Sequence, residues 1–353
     1  MLASKTSRMK FGNFLFPECQ NPENDGTVIN ETLREAQLCD ELGMDAVWLA
    51  EHHFDGNCAY VNPVTFAAAL AMATKRISIG FAVIQTALYH PIHLAEQLSL
   101  LDNLSKGRLL VGLGRGTLFN IYEFQGFGLD ADEAQARFEE AEEIIRKAWT
   151  QDTFTHQGKF WNIRVPKLRP LPYTKPHPEI YRGASSEHSL RELGRQGRPI
   201  LINAQTNEVT RQRVQMYREG MRDGGFSEEK IAENVGKIWV WRNIYVGDTD
   251  SEAEGVGRPA FMKMVEHRSV MRMRIKEETG LIMAPHLTQS LLGFICGSPS
   301  TVAADLAELV PIGIGGVLMQ FRLGSMSYEA NAHSIELFMS KVAPEVGRVD
   351  RTS

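Results

Sequence analysis

Eight short apolar runs recur along the chain, at Lys10–Phe16, Asp45–His53, Ile77–Gln85, Arg108–Arg115, Glu179–Ala184, Pro199–Ala204, Ile238–Val246 and Gly316–Phe321. Most are rich in Val, Ile and Leu and are bounded by Gly, Pro or polar residues. Several, Ala46 to Ala50 for example, lack the alternation of a half-solvated strand, as parallel strands covered on both faces require. Helical spacing fills many of the gaps. Val28–Leu42 stops at Gly43, Pro63–Thr74 opens on a proline suited to a first turn, and Leu94–Lys106 ends at Gly107. Asp130–Trp149 reads as a long charge-laced helix, and Ser298-Pro299 opens another that runs to about Leu309. Repeated strand–helix alternation with eight candidate strands predicts an α/β fold, a (β/α)8 TIM barrel, and 353 residues leave room for insertions. The whole chain, 1–353, reads as a single domain.

Three segments fall outside the repeat. Residues 1–9 are polar and read as a loose leader without the apolar stretch of a signal peptide. Residues 150–178 carry five prolines, with the aromatics Phe154, Phe160 and Trp161, and read as an insertion. Residues 249–293 are Met-rich, with Met262, Met264, Met271, Met273 and Met283 beside His267, Arg268, Arg272 and Arg274, and form a second insertion. Methionine adapts its shape, so this segment is a candidate lid over an apolar substrate, with ordinary helix packing as the competing reading.

The charge balance, 38 basic against 43 acidic side chains, shows no basic block of the kind that nucleic acid or an anionic membrane surface attracts. No apolar run is long enough to span a bilayer, and a cytoplasmic location is expected. Cys19, Cys39, Cys58 and Cys296 lack C-x-x-C spacing, which argues against a zinc site or a disulfide framework.

Polar residues gather where the predicted strands end: Glu51-His52-His53, Gln85-Thr86, Arg115, Ser185-Ser186, Gln205-Thr206 and Gln320 to Arg322. In a barrel such ends converge on one mouth, where ligands bind. His52 suits general acid–base work near neutral pH, whereas a strand-end histidine pair that only caps hydrogen bonds is the plain alternative. Adjacent histidines on a strand point to opposite sides, so they do not share a metal ion, and no metal is expected. Gly112-Leu113-Gly114-Arg115-Gly116 is not a dinucleotide fingerprint. Its glycines permit close backbone approach, and Arg115 offers a fork of donors for phosphate or carboxylate, or is simply a surface arginine after a tight turn. Ser185 and Ser186 precede a helix and would form an anion cradle, or merely an N-cap. Leu15, Phe16, Phe54, Phe81 and Leu118 supply an apolar wall, and Glu51, Phe54 and Gln320 are candidate substrate-pocket residues.

Lys10-Phe11-Gly12-Asn13-Phe14-Leu15 and Val47-Trp48-Leu49-Ala50-Glu51-His52-His53-Phe54 resemble blocks of bacterial luciferase and its flavin-dependent monooxygenase relatives. His90-Pro91, Asp102 to Arg108, Gly112 to Gly116 and, more weakly, Lys341-Val342-Ala343-Pro344 extend that resemblance in order along the chain. It implies a TIM barrel that takes reduced FMN as cosubstrate and uses O2, through a flavin C4a-hydroperoxide, to oxygenate a small organic substrate. A separate NAD(P)H-dependent flavin reductase and a homodimer are implied with it. By the same resemblance His52 stands near the reactive edge of the flavin, and Arg115, Ser185 and Ser186 hold its phosphate. Ala82-Val83 falls where the family often has a non-proline cis peptide beneath the ring. FAD and the deazaflavin F420 are less favoured as cofactors. An F420-dependent hydride-transfer enzyme and a non-catalytic flavin-binding subunit are the alternative functions. Luciferase has a glutamate where Ser185 stands and a cysteine where Gly114 stands, so light emission from an aldehyde is not implied.

Overall fold

The computed structural model describes residues 8–54, 58–117, 120–279 and 293–347. Eight parallel strands close a barrel: β1 (Lys10–Leu15), β2 (Ala46–Leu49), β3 (Ser78–Phe81), β4 (Leu109–Gly114), β5 (Ile180–Ala184), β6 (Ile200–Ile202), β7 (Trp239–Val246) and β8 (Gly316–Gln320). Each pairs with the strand before it, and β8 returns to β1 with Lys10 opposite Gly316 and Asn13 opposite Met319. Ile84–Gln85 continues β3 along β4. The eight apolar runs of the sequence are these eight strands, each observed strand lying within its run.

Outer helices follow the strands: α1 (Asp25–Glu41), α2 (Pro63–Ala73), α3 (Pro91–Ser105), α4 (Ala134–Thr150), α5 (Glu187–Arg195), α6 (Asn207–Asp223), α7 (Pro299–Ala307) and α8 (Tyr328–Leu337). Prolines at the first turns of α2, α3 and α7 lose no intrahelical bond there. One apolar cluster joins helices to the outer face of the barrel. A second fills the barrel axis with Phe14, Trp48, Tyr181, Leu201, Trp239 and Leu318. Strand period places these side chains inward and their neighbours outward.

The insertions differ in character. Within 150–178, Phe154–Gln157 and Asn162–Val165 form an antiparallel hairpin. Within 249–293, a 30-residue helix, Asp250–Thr279, is followed by a strand, Phe294–Gly297, that extends the sheet beside β7. Residues 280–292 lie outside the described residues. The long helix is anchored over its first half: Ala253, Phe261 and Met264 are buried with Tyr245, Leu323 and Met326. Of the expected leader, residues 1–7 lie outside the described residues, and Arg8 and Met9 are described. Arg8 makes a two-pronged ion pair with Asp45, and Met9 is buried, so the chain is already docked two residues before β1. No helix among the described residues is long and apolar enough to cross a membrane.

Candidate active site

The C-terminal ends of the strands bring the polar residues of the sequence to one mouth. β2 ends at Leu49, and the chain after it turns so that the two histidines diverge. His53 is buried, its Nε2 2.9 Å from Glu51 Oε1 and its ring edge-on to Phe127. His52 keeps a third of its side chain exposed (34%) and meets Phe16 edge-to-face at 5.4 Å.

Glu51 is a structural clamp. One oxygen accepts from Tyr89 Oη (2.6 Å) and faces His53; the other accepts from the Gln85 backbone N–H (2.6 Å). Gln85 returns its own amide to the Glu51 carbonyl (3.0 Å). Both oxygens of Glu51 are thus engaged by protein groups, in contrast to the pocket-lining place expected for it. Burial, with the Glu51 charge beside it, pushes the Tyr89 hydroxyl far above its usual range, so it remains a donor. Phe54 is mostly exposed, with φ +62°, and packs over Gly126 and Phe127. Leu118 lies outside the described residues.

Two residues that carry no motif complete the His52 environment. Glu123, fully buried on the short helix Ile121–Gly126, places Oε1 3.4 Å from His52 Nδ1 and accepts the His53 backbone N–H at 2.7 Å. Asn120 sets its amide Nδ2 3.1 Å from the same Nδ1. Burial would raise the Glu123 carboxyl, but the His52 ring and the His53 N–H outweigh it and hold the group below its ordinary range.

Around the mouth, the Ala82–Val83 peptide is cis. Val83 rests on strands that carry glycine where they pass it. A Cβ on Gly114 would come within 2.4 Å of Val83 Cγ2, and one on Gly183 within 3.8 Å of Val83 Cγ1. Half-buried Arg115 follows β4, and its hydrogen bonds among the described residues are long, 3.5 Å to the Gly116 carbonyl and 3.4 Å to Gln135 Oε1. β4 and β5 pair as far as Leu113 opposite Arg182, so Arg115 and Ser185 follow the ends of two adjacent strands. Ser186 is the N-cap of α5, its Oγ accepting the Ser189 N–H (3.2 Å), while Ser185 is exposed.

The opposite wall is aromatic. Phe16 stacks on Phe14 (6.3 Å), which meets Trp241 at 5.2 Å. Arg268, from the long helix, lies 5.0 Å over the Phe16 ring and pairs with buried Glu18 (2.5 Å) and, at 3.5 Å, with Gln320 Oε1. Gln320 is wholly buried and donates to the Arg322 carbonyl at 3.0 Å. Buried polar atoms of Gln205, Trp241 and Asn243 have no protein partner. The chain thus surrounds the mouth with the Ala82–Val83 bed, the Arg115 guanidinium, buried polar atoms without a hydrogen-bond partner among the described residues, and an imidazole. That donor set fits a planar heteroaromatic ligand carrying an anionic tail.

Known proteins share this architecture. Residues 9–315 match the family described as luciferase-like monooxygenase. Limonene 1,2-monooxygenase of Rhodococcus erythropolis is 26% identical over 349 residues, 96% of this chain and 86% of that one. The monooxygenase RslO1 of Streptomyces bottropensis superposes with a TM-score of 0.80 at 28% identity, covering 95% of this chain and 99% of that one. The oxygenating constituent of 3,6-diketocamphane monooxygenase from Pseudomonas putida, solved with FMN, shares the fold at a TM-score of 0.78 and 21% identity, covering 96% and 98%. The family model spans most of the barrel, from the residue before β1 to the residue before β8, and the chain therefore belongs to the luciferase-like monooxygenases.

Proposed function

We propose that the protein is the oxygenase of a two-component, FMN-dependent monooxygenase, with reduced FMN supplied by a separate NAD(P)H-dependent reductase and a small organic compound as substrate. The observation that carries this reading is the alignment of three features along one arc of the mouth. They are the Ala82–Val83 bed on Gly114 and Gly183, Arg115 with Ser185 at the ends of β4 and β5, and His52 at the end of β2. Arg115 and Ser185, with the first turn of α5, hold the phosphate. The helix dipole and the guanidinium both favour a dianion there. Ser186 contributes by fixing that turn. Ala82 and Val83 support the ring system, and buried Gln205, Trp241 or Asn243 offer polar atoms to ligand groups.

When bound, reduced FMN supplies the electrons that activate O2 for transfer of one oxygen atom to the substrate. The protein's part is to hold the reactants, exclude water and manage the proton. Phe14, Phe16 and Trp241 make a dry wall beside His52, which keeps bulk water from competing with the substrate. His52 is the general acid–base group, protonating the departing oxygen or holding it in place. Met264 and Arg268 close the wall from the long helix, which gives the helix a covering role over the substrate.

The direct test is a binding titration of the purified protein with FMN, its reduced form, FAD and F420. Preference for reduced FMN is expected. Tight binding of F420 alone would replace oxygen transfer by hydride transfer, and failure to bind any flavin would remove the catalytic reading.

A further inference from the structure

Glu123 lies 70 residues from His53 in sequence and belongs to no motif, yet it is fully buried against both histidines. A carboxylate is kept in such a place only when something of opposite polarity repays its desolvation. Its Oε1 has two neighbours: the His53 backbone N–H at 2.7 Å and His52 Nδ1 at 3.4 Å. Its Oε2 is buried without a hydrogen-bond partner. The His53 N–H and the nearby Gln85 amide are neutral donors to a full charge, so the imidazole is the neighbour that can supply an opposing charge. We propose that Glu123 is the positioning residue of the site, holding a proton on His52 Nδ1 and stabilising the imidazolium. This rests on the reading that His52 is the acid–base group.

The chemistry follows from the two ring nitrogens. A carboxylate beside Nδ1 repels the lone pair of the other tautomer and attracts Nδ1–H. Asn120 adapts: rotation of its amide by a half-turn replaces the donor facing Nδ1 with an acceptor. With Nδ1–H held in place, proton exchange with a reactant falls to Nε2. There the neutral ring is a base and the imidazolium an acid, and the proton returns by the same atom. Glu51 is turned to His53, Tyr89 and Gln85, and Arg268 sits over Phe16, the ring that His52 meets edge-on. Glu123 is therefore the carboxylate that faces His52 Nδ1 among the described residues.

The test uses Glu123→Gln, which keeps an acceptor oxygen for the His53 N–H and removes only the charge. Nitrogen-15 NMR of the imidazoles in flavin-free protein, with His52 assigned by its loss in His52→Ala, reads both tautomer and titration. In the wild type, His52 above its titration is expected as the Nδ1–H tautomer. In Glu123→Gln it titrates at lower pH and moves towards Nε2–H, and Glu123→Asp restores part of the difference. An Nε2–H ring in the wild type, or identical spectra in wild type and Glu123→Gln, would overturn the assignment. In oxygenation with reduced FMN and O2, Glu123→Gln is expected to lose at least about tenfold in kcat with FMN affinity kept, and no further loss is expected in the His52→Ala background. Losses that multiply would mean Glu123 acts independently of His52. Should His52→Ala turn over normally, the functional reading falls, while the NMR result still decides the place of Glu123.

Discussion

Trp48 is the floor under the mouth, and Gly80 is what makes room for it. Trp48 and Gly80 are register partners on β2 and β3, and the indole is fully buried, edge-on to Tyr181 at 5.7 Å and Trp239 at 5.2 Å. A Cβ built on Gly80 would sit 2.3 Å from Trp48 Cε3 and 2.7 Å from Cζ3. Carbon atoms rest at about 3.5–4.0 Å, so Gly80→Ala forces the indole to move by more than about 1 Å. It has little room to do so, since Tyr181 and Trp239 pack edge-on against it along the axis. Overpacking of this kind costs about 1–3 kcal/mol. Trp48→Leu removes the six-membered ring that the new methyl strikes. Gly80→Ala should therefore cost less than about 0.5 kcal/mol in that background, a coupling of about 1–2 kcal/mol. Urea unfolding of the flavin-free protein, followed by far-ultraviolet circular dichroism, measures all four corners of the cycle, with an unchanged m-value as the check that only stability has moved. Equal costs in the two backgrounds, or no cost at all in the wild type, would refute the packing argument.

Arg115→Ala should weaken FMN binding by about 1.5–3 kcal/mol, roughly 10- to 150-fold, if its guanidinium makes a charged hydrogen bond to the phosphate. Riboflavin, which has no phosphate, should bind the two proteins alike, and equal FMN affinity in both would take Arg115 out of the site. Asp40 accepts backbone N–H bonds from Lys75 (2.8 Å), Arg76 (2.9 Å) and Ile77 (2.7 Å) at the start of β3. Burial raises its carboxyl, but those donors, with the Arg76 charge, prevail and depress it. A depressed carboxyl stabilises the fold above its unfolded pKa and loses that contribution as pH falls through the folded value. The stability gap between wild type and Asp40→Asn should thus be full near about pH 6 and close as pH falls from about 4 towards 2. A gap independent of pH would contradict the assignment.

The barrel was legible because burial on both faces leaves its strands as uninterrupted apolar runs, which chance seldom repeats eight times between helical patterns. Ends were less so. Asp45–His53 reads as one strand, yet pairing with β3 stops at Leu49, after which side-chain and turn hydrogen bonds take over. The strand Phe294–Gly297 has four residues and adjoins a Met-rich helix, too little pattern to separate it from its surroundings. At the site, Arg115, His52 and the serine pair stood out because residue type and strand-end position coincide. Glu123, Asn120 and the Glu18–Arg268 pair did not. Their significance comes from contacts across 70, 68 and 250 residues, and nothing local distinguishes a functional carboxylate from a solvated one. Glu51 shows the converse, a polar residue in a conspicuous block whose two oxygens serve the scaffold.

The proposed oxygen transfer at the His52 mouth is most directly tested with isotopically labelled dioxygen. Wild-type protein and His52→Ala, each supplied with enzymatically reduced FMN and 18O2, would be incubated with a panel of terpenes and cyclic ketones and the products weighed. One 18O atom per product is expected from the wild type, with the product lost and FMN binding retained in His52→Ala. Label arriving from water instead of O2, or equal product from both proteins, would contradict the account.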